Sequence, residues 1–265
     1  MSGFSANWLA LREPIDLAAR NAVVESAFCA ALPSGQVRIQ DLASGAGSTV
    51  AALSGLLGPR QEWHLCDHDP ALLGVAARRF ESSESLDVKV RQIDLSAELD
   101  RLRFDNVDGI TTSAFLDLVT EDFLGALVEA VTRSGKPFLA SLTYDGRAVC
   151  SPEDSLDEDI RLAMNAHQKT DKGFGAALGP DAAMVAESLF DAAGYRVVSG
   201  KSDWRAKVGA EAFQSELIAG WLSAGRAMGL ETATLDKWHK RRRGEIDDGI
   251  LEITVGHVDF TAIPL

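Results

Sequence analysis

The stretch QDLASGAGSTVAAL, Gln40 to Leu53, joins a run of alternating β-branched residues to a helical one through a turn that holds Gly45 and Gly47. Upstream, QVRIQDLA has the alternation of a short strand; downstream, Thr49 to Leu57 continue as a helix ended by Gly58 and Pro59. Glycines in such a turn let backbone N–H groups approach a ligand at the positive end of the following helix. A dinucleotide fingerprint, G-x-G-x-x-G, puts a third glycine where this chain has Val50. The pattern D-x-x-x-G-x-G instead places Asp41 at the strand end, where a carboxylate meets a cationic or polar group rather than a diphosphate.

The same strand–helix unit recurs along the chain. EWHLCDHD reads as a strand, Pro70 to Phe80 as a helix with proline at its first position, LDVKVRQIDL as a third strand and RFDNVDGITTSAF as a fourth. Glu121 to Arg133 form the next helix, SGKPFLASLTYDG the fifth strand, and Asp181 to Ala193 a helix closed by Gly194. YRVVSGKSDW and LEITVGHVDFTAI add strands, with helices near Ala210 to Met228 and Leu235 to Arg242 between them. Alternation at this spacing predicts a parallel sheet wound with helices on both faces, with the ligand beyond the carboxyl ends of the strands.

Two further aspartates end strands in that register. Asp67 lies 20 positions beyond Gly47, the distance at which an acid accepts the hydroxyls of a ribose. Asp94 ends the third strand, placed to accept from an adenine amino group. For any one acid, a helix N-cap or a solvated turn is the competing role.

In this order the motifs resemble those of the class I S-adenosylmethionine-dependent methyltransferases. The glycine motif looks like DLASGAG (41–47), the ribose acid like Asp67 in HLCDHDPALL, the adenine-side acid like Asp94, and the fourth-strand segment like FDNVDGITTSAFLDLV (104–119). The resemblance covers residues 37–145, and it departs from the family at Ala43, where the first glycine is usual. It implies an α/β fold with a doubly wound, mostly parallel seven-stranded sheet, the Rossmann-like methyltransferase fold, carrying helical cap insertions. It also implies S-adenosyl-L-methionine as cofactor. Asp41 and the backbone of Ala43, Ser44, Gly45 and Gly47 would then lie against the methionine moiety, and Asp67, with His68 beside it, would hold the ribose. Asp94 and Leu95 would flank the adenine, and Ser113 and Ala114 would border the sulfonium methyl.

Around that core, residues 1–36 read as a helical cap segment, 37–147 as the cofactor-binding core, 148–180 as a lid and 181–265 as the rest of the core with inserted helices. The N-terminal segment reads as two helices, the second starting near Pro14. The stretch 147–180, with PEDSLDEDI and DKGFGAALGP, reads as irregular, and a connection that long implies function or disorder. Its glycines suit either a clamp on the ligand or a plain hinge.

Methyl transfer from a sulfonium needs alignment and water exclusion more than acid–base help; a base serves a hydroxyl or ammonium acceptor and a carboxylate or thiolate needs none. His167 is the lid residue whose ordinary pKa suits that task, with Tyr144 and Arg147 placed to orient the acceptor. Lys172 and Asp171 from the lid, and Arg12, Glu13, Asp16, Arg20 and Asn21 from the N-terminal segment, are further candidates. Trp204, Trp221 and Trp238 read as packing residues.

Composition narrows the partners. A net charge of −13 repels phosphate backbones, and the basic cluster KWHKRRR (237–243) reads first as a solvated helix end, with contact to an anionic partner as the other reading. Cys29, Cys66 and Cys150 are scattered and the histidines lack metal-ligand spacing, so no disulfide framework and no metal site is expected. No apolar run reaches membrane length and nothing marks export, so the expected place is the cytoplasm and the expected partner a small-molecule substrate, neither nucleic acid nor membrane, with a homodimer left open. The competing functions are a nicotinamide- or flavin-dependent oxidoreductase on the same turn and a non-catalytic S-adenosylmethionine-binding protein.

Overall fold

A computed structural model of the chain describes residues 5–83 and 85–265. Helices α1 (Ala6–Ala19) and α2 (Ala22–Ala30) precede β1 (Gln36–Leu42), α3 (Ser48–Leu53), β2 (Arg60–Asp67), α4 (Pro70–Phe80) and β3 (Leu86–Gln92). Then come α5 (Leu95–Glu98), β4 (Gly109–Ser113), α6 (Glu121–Ser134), β5 (Phe138–Ser151), α7 (Asp157–Gln168) and α8 (Ala182–Ala192). The chain closes with β6 (Tyr195–Lys201), β7 (Trp204–Ala206), α9 (Glu211–Ala227), α10 (Thr232–Asp247) and β8 (Glu252–Pro264).

The strands order as β3-β2-β1-β4-β5-β8-β6, with β1 to β5 parallel and β8 antiparallel to both neighbours. The short β7 adds an eighth strand against the start of β8, so the sheet exceeds the seven strands expected. Its two flanking layers follow from the pattern of each element. In α6, Leu124, Leu127, Val128 and Val131 form one buried stripe, Thr120 caps the start and Gly135 closes the end in the left-handed region. That stripe joins Phe138, Phe190 and Phe260 on one face of the sheet. Val24, Phe28, Val50, Leu53 and Leu73 pack on the other face against Ile39, Trp63 and Leu65. A third cluster unites Trp8 and Leu11 of α1 with residues of α7, α9, α10 and the far ends of β5 and β8, and forms the cap.

Three local expectations are corrected. Pro14 sits inside a continuous α1, and the helix break falls at Arg20–Asn21 instead, because the Asn21 side chain accepts from Val23 and Val24 and starts α2 afresh. The stretch 147–180 is largely regular: β5 runs on to Ser151 because the long β8 pairs with it there, and the acidic run opens α7, where Asp157, Glu158 and Asp159 favour the positive helix end. The basic cluster lies in mid-helix of α10 and not at a free end. Arg242 is fully buried, bonded to Asp157, Glu245 and the Pro152 carbonyl, while Arg241 pairs with Asp154. The basic and acidic runs are thus each other's partners, which latch α10 onto α7.

No helix among the described residues is long and apolar enough to cross a membrane.

Candidate active site

The register levels the ends of β1, β2 and β4: Leu42 pairs Cys66 on one side and Thr112 on the other. The next residue on each strand therefore reaches the same edge, where a cavity of about 1090 Å³, partly open to solvent, lies. Ala43, Ser44 and Gly45 of the turn line it beside Asp67 and His68 from the end of β2. Asp94 and Leu95 after β3, with Ser113 and Ala114 at the end of β4, complete the sheet side. Leu9, Arg12, Glu13 and Asp16 of α1 cover it, held over the core by the ion pair between Glu13 and Arg79 of α4.

Within this rim the turn is held in conformations few side chains adopt. Ala43, Gly45 and Gly47 have φ of 51°, 52° and 83°, and Ala114, just after β4, has 49°. Asp67 fixes the turn: one oxygen accepts from the Gly45 N–H at 2.8 Å and the other from the Asp69 N–H at 2.9 Å. Asp94 both lines the cavity and caps α5, accepting from the Ser96 N–H and hydroxyl. Phe174, from the loop after α7, reaches the same cavity and packs edge-on against Phe115. That loop is pinned by Asp171, which accepts from Gly173 and Gly175 N–H, and this favours the clamp over the hinge.

Two expected residues lie outside the cavity lining. Asp41 is fully buried below the turn and accepts from Thr111 Oγ1 at 2.7 Å; burial pushes its carboxyl up to about 7. It braces β1 against β4 and does not line the cavity. Gly47 faces α4, where an added Cβ would meet Phe80 at 2.8 Å.

A second cavity, of about 1780 Å³ and likewise open in part, adjoins the first, sharing Arg12, Ala114, Leu118 and Lys172 with it. Its walls combine apolar residues, Trp8, Trp204, Trp221, Met164 and Leu217 among them, with charged ones such as Asp117 and Lys172. Trp204 and Trp221 therefore do more than pack, whereas Trp238 is fully buried with its N–H on Asp157. His167 and Tyr144 line this cavity as expected. Burial, with Lys172 nearby, pulls the His167 pKa down, and burial pushes the Tyr144 phenol up while its hydroxyl donates to Asn165. Arg147 is not in the lining: the strand shifts register between Tyr144 and Ala148, turning the guanidinium onto Asp145 and Asp203.

Sequence reasoning missed Asp117 and His257. His257 is held against Trp204, its Nδ1 against the Val255 carbonyl, and burial pulls its pKa down to about 3, so the ring is neutral at pH 7. Asp117 sits on the turn after β4, 6% exposed. The available signal was position alone, four residues beyond the end of β4 at Ser113.

No protein-family model matches the sequence, and no curated protein matches it. Solved structures do. YcgJ from Bacillus subtilis is 15% identical with a TM-score of 0.52 over 92% of this chain and 97% of its own. A candidate methyltransferase from Bacillus halodurans gives 15%, 0.52, 92% and 99%, and the cyclopropane synthase MmaA2 from Mycobacterium tuberculosis gives 10%, 0.52, 98% and 94%. The fold is that of the Rossmann-like methyltransferases. Within it, the first cavity occupies the edge beyond the carboxyl ends of β1, β2 and β4, and the second lies under the cap. Among the described residues, no group of three or more His, Cys, Asp or Glu is gathered to hold a metal ion.

Proposed function

We propose that the chain transfers a methyl group from S-adenosylmethionine to a small-molecule acceptor, acting in the cytoplasm and not on nucleic acid. One observation carries the reading: the glycine turn, Asp67 and Asp94 converge on one cavity that opens at Ala114 into a second, aromatic one. A nucleoside with a sulfonium side arm fits these residues. The side-chain-free face at Gly45 admits close approach, Asp67 suits the ribose, and Asp94 with Leu95 and Phe174 suits the adenine. Arg12 gives the amino-acid carboxylate a cation, and the acids Glu13, Asp16 and Asp67 suit the cofactor's positive charges. The fingerprint of a dinucleotide site is not met: Val50, in the place of the third glycine, is fully buried in the core.

When bound, the cofactor supplies an already activated methyl group. The protein's share is to align: Ala114 and Ser113 border the junction of the cavities, α1 covers it, and the aromatic residues of the second cavity give the acceptor surfaces to lie against. The enclosure and the net charge of −13 favour a small acceptor over a polymer carrying phosphates.

Asp67→Ala removes both the ribose acceptor and the brace on Gly45. Titration with S-adenosylhomocysteine is expected to show affinity at least about tenfold weaker, roughly 1.4 kcal/mol. Unchanged affinity would remove Asp67 from the site.

A further inference from the structure

The charged groups at and beside the junction of the two cavities say what the acceptor looks like. Arg12 donates from Nε to Asp16 at 2.9 Å and lies 5.6 Å from the Trp204 ring centre. Lys172 lies with its Nζ 3.4 Å from His167 Nδ1 and 3.2 Å from Thr170 Oγ1. Asp117 lines the second cavity, 94% buried by its 6% exposure, and its Oδ1 has no hydrogen-bond partner among the described residues. The second cavity is lined by two cations, Arg12 and Lys172, and two carboxylates, Asp117 and Asp171, which leaves no surplus positive charge to draw in an acid. A buried carboxylate oxygen without a donor is costly by about 1–3 kcal/mol unless a ligand supplies one. Beyond the junction the walls are the indoles of Trp8, Trp204 and Trp221 with Leu217 and Val255, surfaces that favour a flat apolar body.

We infer that the acceptor is a neutral hydroxyl compound with a flat apolar body, and that Asp117 Oδ1 accepts its hydroxyl proton. This rests on the function proposed above. In the step, the acceptor oxygen forms a bond to the methyl carbon as the carbon–sulfur bond breaks, its electron pair staying on sulfur, and the hydroxyl proton passes to Asp117. Arg12 from α1, His167 from α7, Asp171 and Lys172 from the loop after it, Tyr144 from β5 and His257 from β8 are the titratable and charged groups that line the cavity with Asp117. Burial holds the Asp117 carboxyl up, at about 6, against the pull of its own backbone N–H, then Arg12 and Lys172, so it is mostly ionised at pH 7 and protonated near pH 5.

The test uses the full chain saturated with S-adenosylhomocysteine, 2-naphthol as the probe, and the tryptophan fluorescence of the cavity as the signal. A phenol, with a pKa of about 10, stays neutral through the range tested. Affinity for 2-naphthol is expected to rise about fivefold from pH 5 to pH 7, as the bond to a neutral carboxyl becomes one to a carboxylate. Asp117→Asn is expected to flatten that rise, leaving S-adenosylhomocysteine affinity unchanged, and 2-methoxynaphthalene, which has no proton to donate, is expected to show no rise in the unaltered chain. A rise that persists in Asp117→Asn would assign the titration to His167 and overturn the role of Asp117. Tighter binding of 2-naphthoate than of 2-naphthol, or no binding of 2-naphthol, would overturn the acceptor class. Failure of S-adenosylhomocysteine itself to bind would strike the proposed function instead, and is seen before any probe is added.

Discussion

Arg242→Met is expected to lower the free energy of unfolding by about 3 kcal/mol, the lower end of the range for breaking a buried ion pair. The guanidinium is completely shielded from water, and its partners Asp157 and Glu245 keep only about a fifth of their side-chain surface exposed. Methionine fills the stem's volume but takes the guanidinium from two carboxylates and the Pro152 carbonyl, Asp157 keeping the N–H groups of Asp154 and Trp238. The damage is expected to concentrate in the cap, because Asp157 begins α7 and also accepts the Trp238 N–H at 2.9 Å. Met164 and His167 of α7 line the second cavity and not the first, so S-adenosylhomocysteine affinity should stay within about twofold, a difference under 0.5 kcal/mol. Urea unfolding checks the first number and calorimetric titration the second. Arg243→Met, on the exposed side of the same helix, is the control and is expected to change stability by no more than about 0.5 kcal/mol.

Gly47→Ala is the second large effect. At φ 83° an L side chain is strained by roughly 1–2 kcal/mol, and the new Cβ meets Phe80 at 2.8 Å, so an overpacking cost of about 1–3 kcal/mol adds to it. A total near 3 kcal/mol is expected in urea unfolding, together with weaker S-adenosylhomocysteine binding, because Gly47 adjoins the backbone that Asp67 orders. Gly35→Ala separates the two contributions: its φ is 100°, yet nothing lies within 4 Å of the added atom, so the strain alone, about 1–2 kcal/mol, should appear and binding should not change. Equal losses at both positions would mean that Phe80 moves aside freely.

Much of the core was readable because its signals are local. A parallel strand buried on both faces and a helix buried on one have different apolar periods, and each aspartate at a strand tip lies next to its turn in sequence. Asp67 and Asp94 both line the cavity at the strand tips. Asp41 did not, because position at a strand end does not say which way the side chain points: it turns into the sheet toward Thr111 on β4, a residue 70 positions away. Arg147 misled for a related reason. Gly146 at φ 87° and the register shift beside it redirect the chain, and no local pattern announces that Asp203 will be there to receive the guanidinium. The cap was the least legible part, since it assembles α1, α7, α9 and α10 through non-local contacts. Its acidic run read as part of an irregular lid and its basic run as a solvated helix end until the fold brought Asp154 and Asp157 to Arg241 and Arg242. Asp117 and His257 acquire their surroundings only in that assembly.

The central claim is that the edge formed by the glycine turn, Asp67 and Asp94 holds an adenosine bearing a sulfonium arm. Calorimetric titration of the unaltered chain with S-adenosylhomocysteine and, separately, with NADH tests it most directly. Saturable one-to-one binding of S-adenosylhomocysteine with no heat from NADH is the expected result. No S-adenosylhomocysteine binding at about 1 mM, where even an interaction of roughly 4 kcal/mol half-fills the site, or binding of NADH in its place, would contradict it.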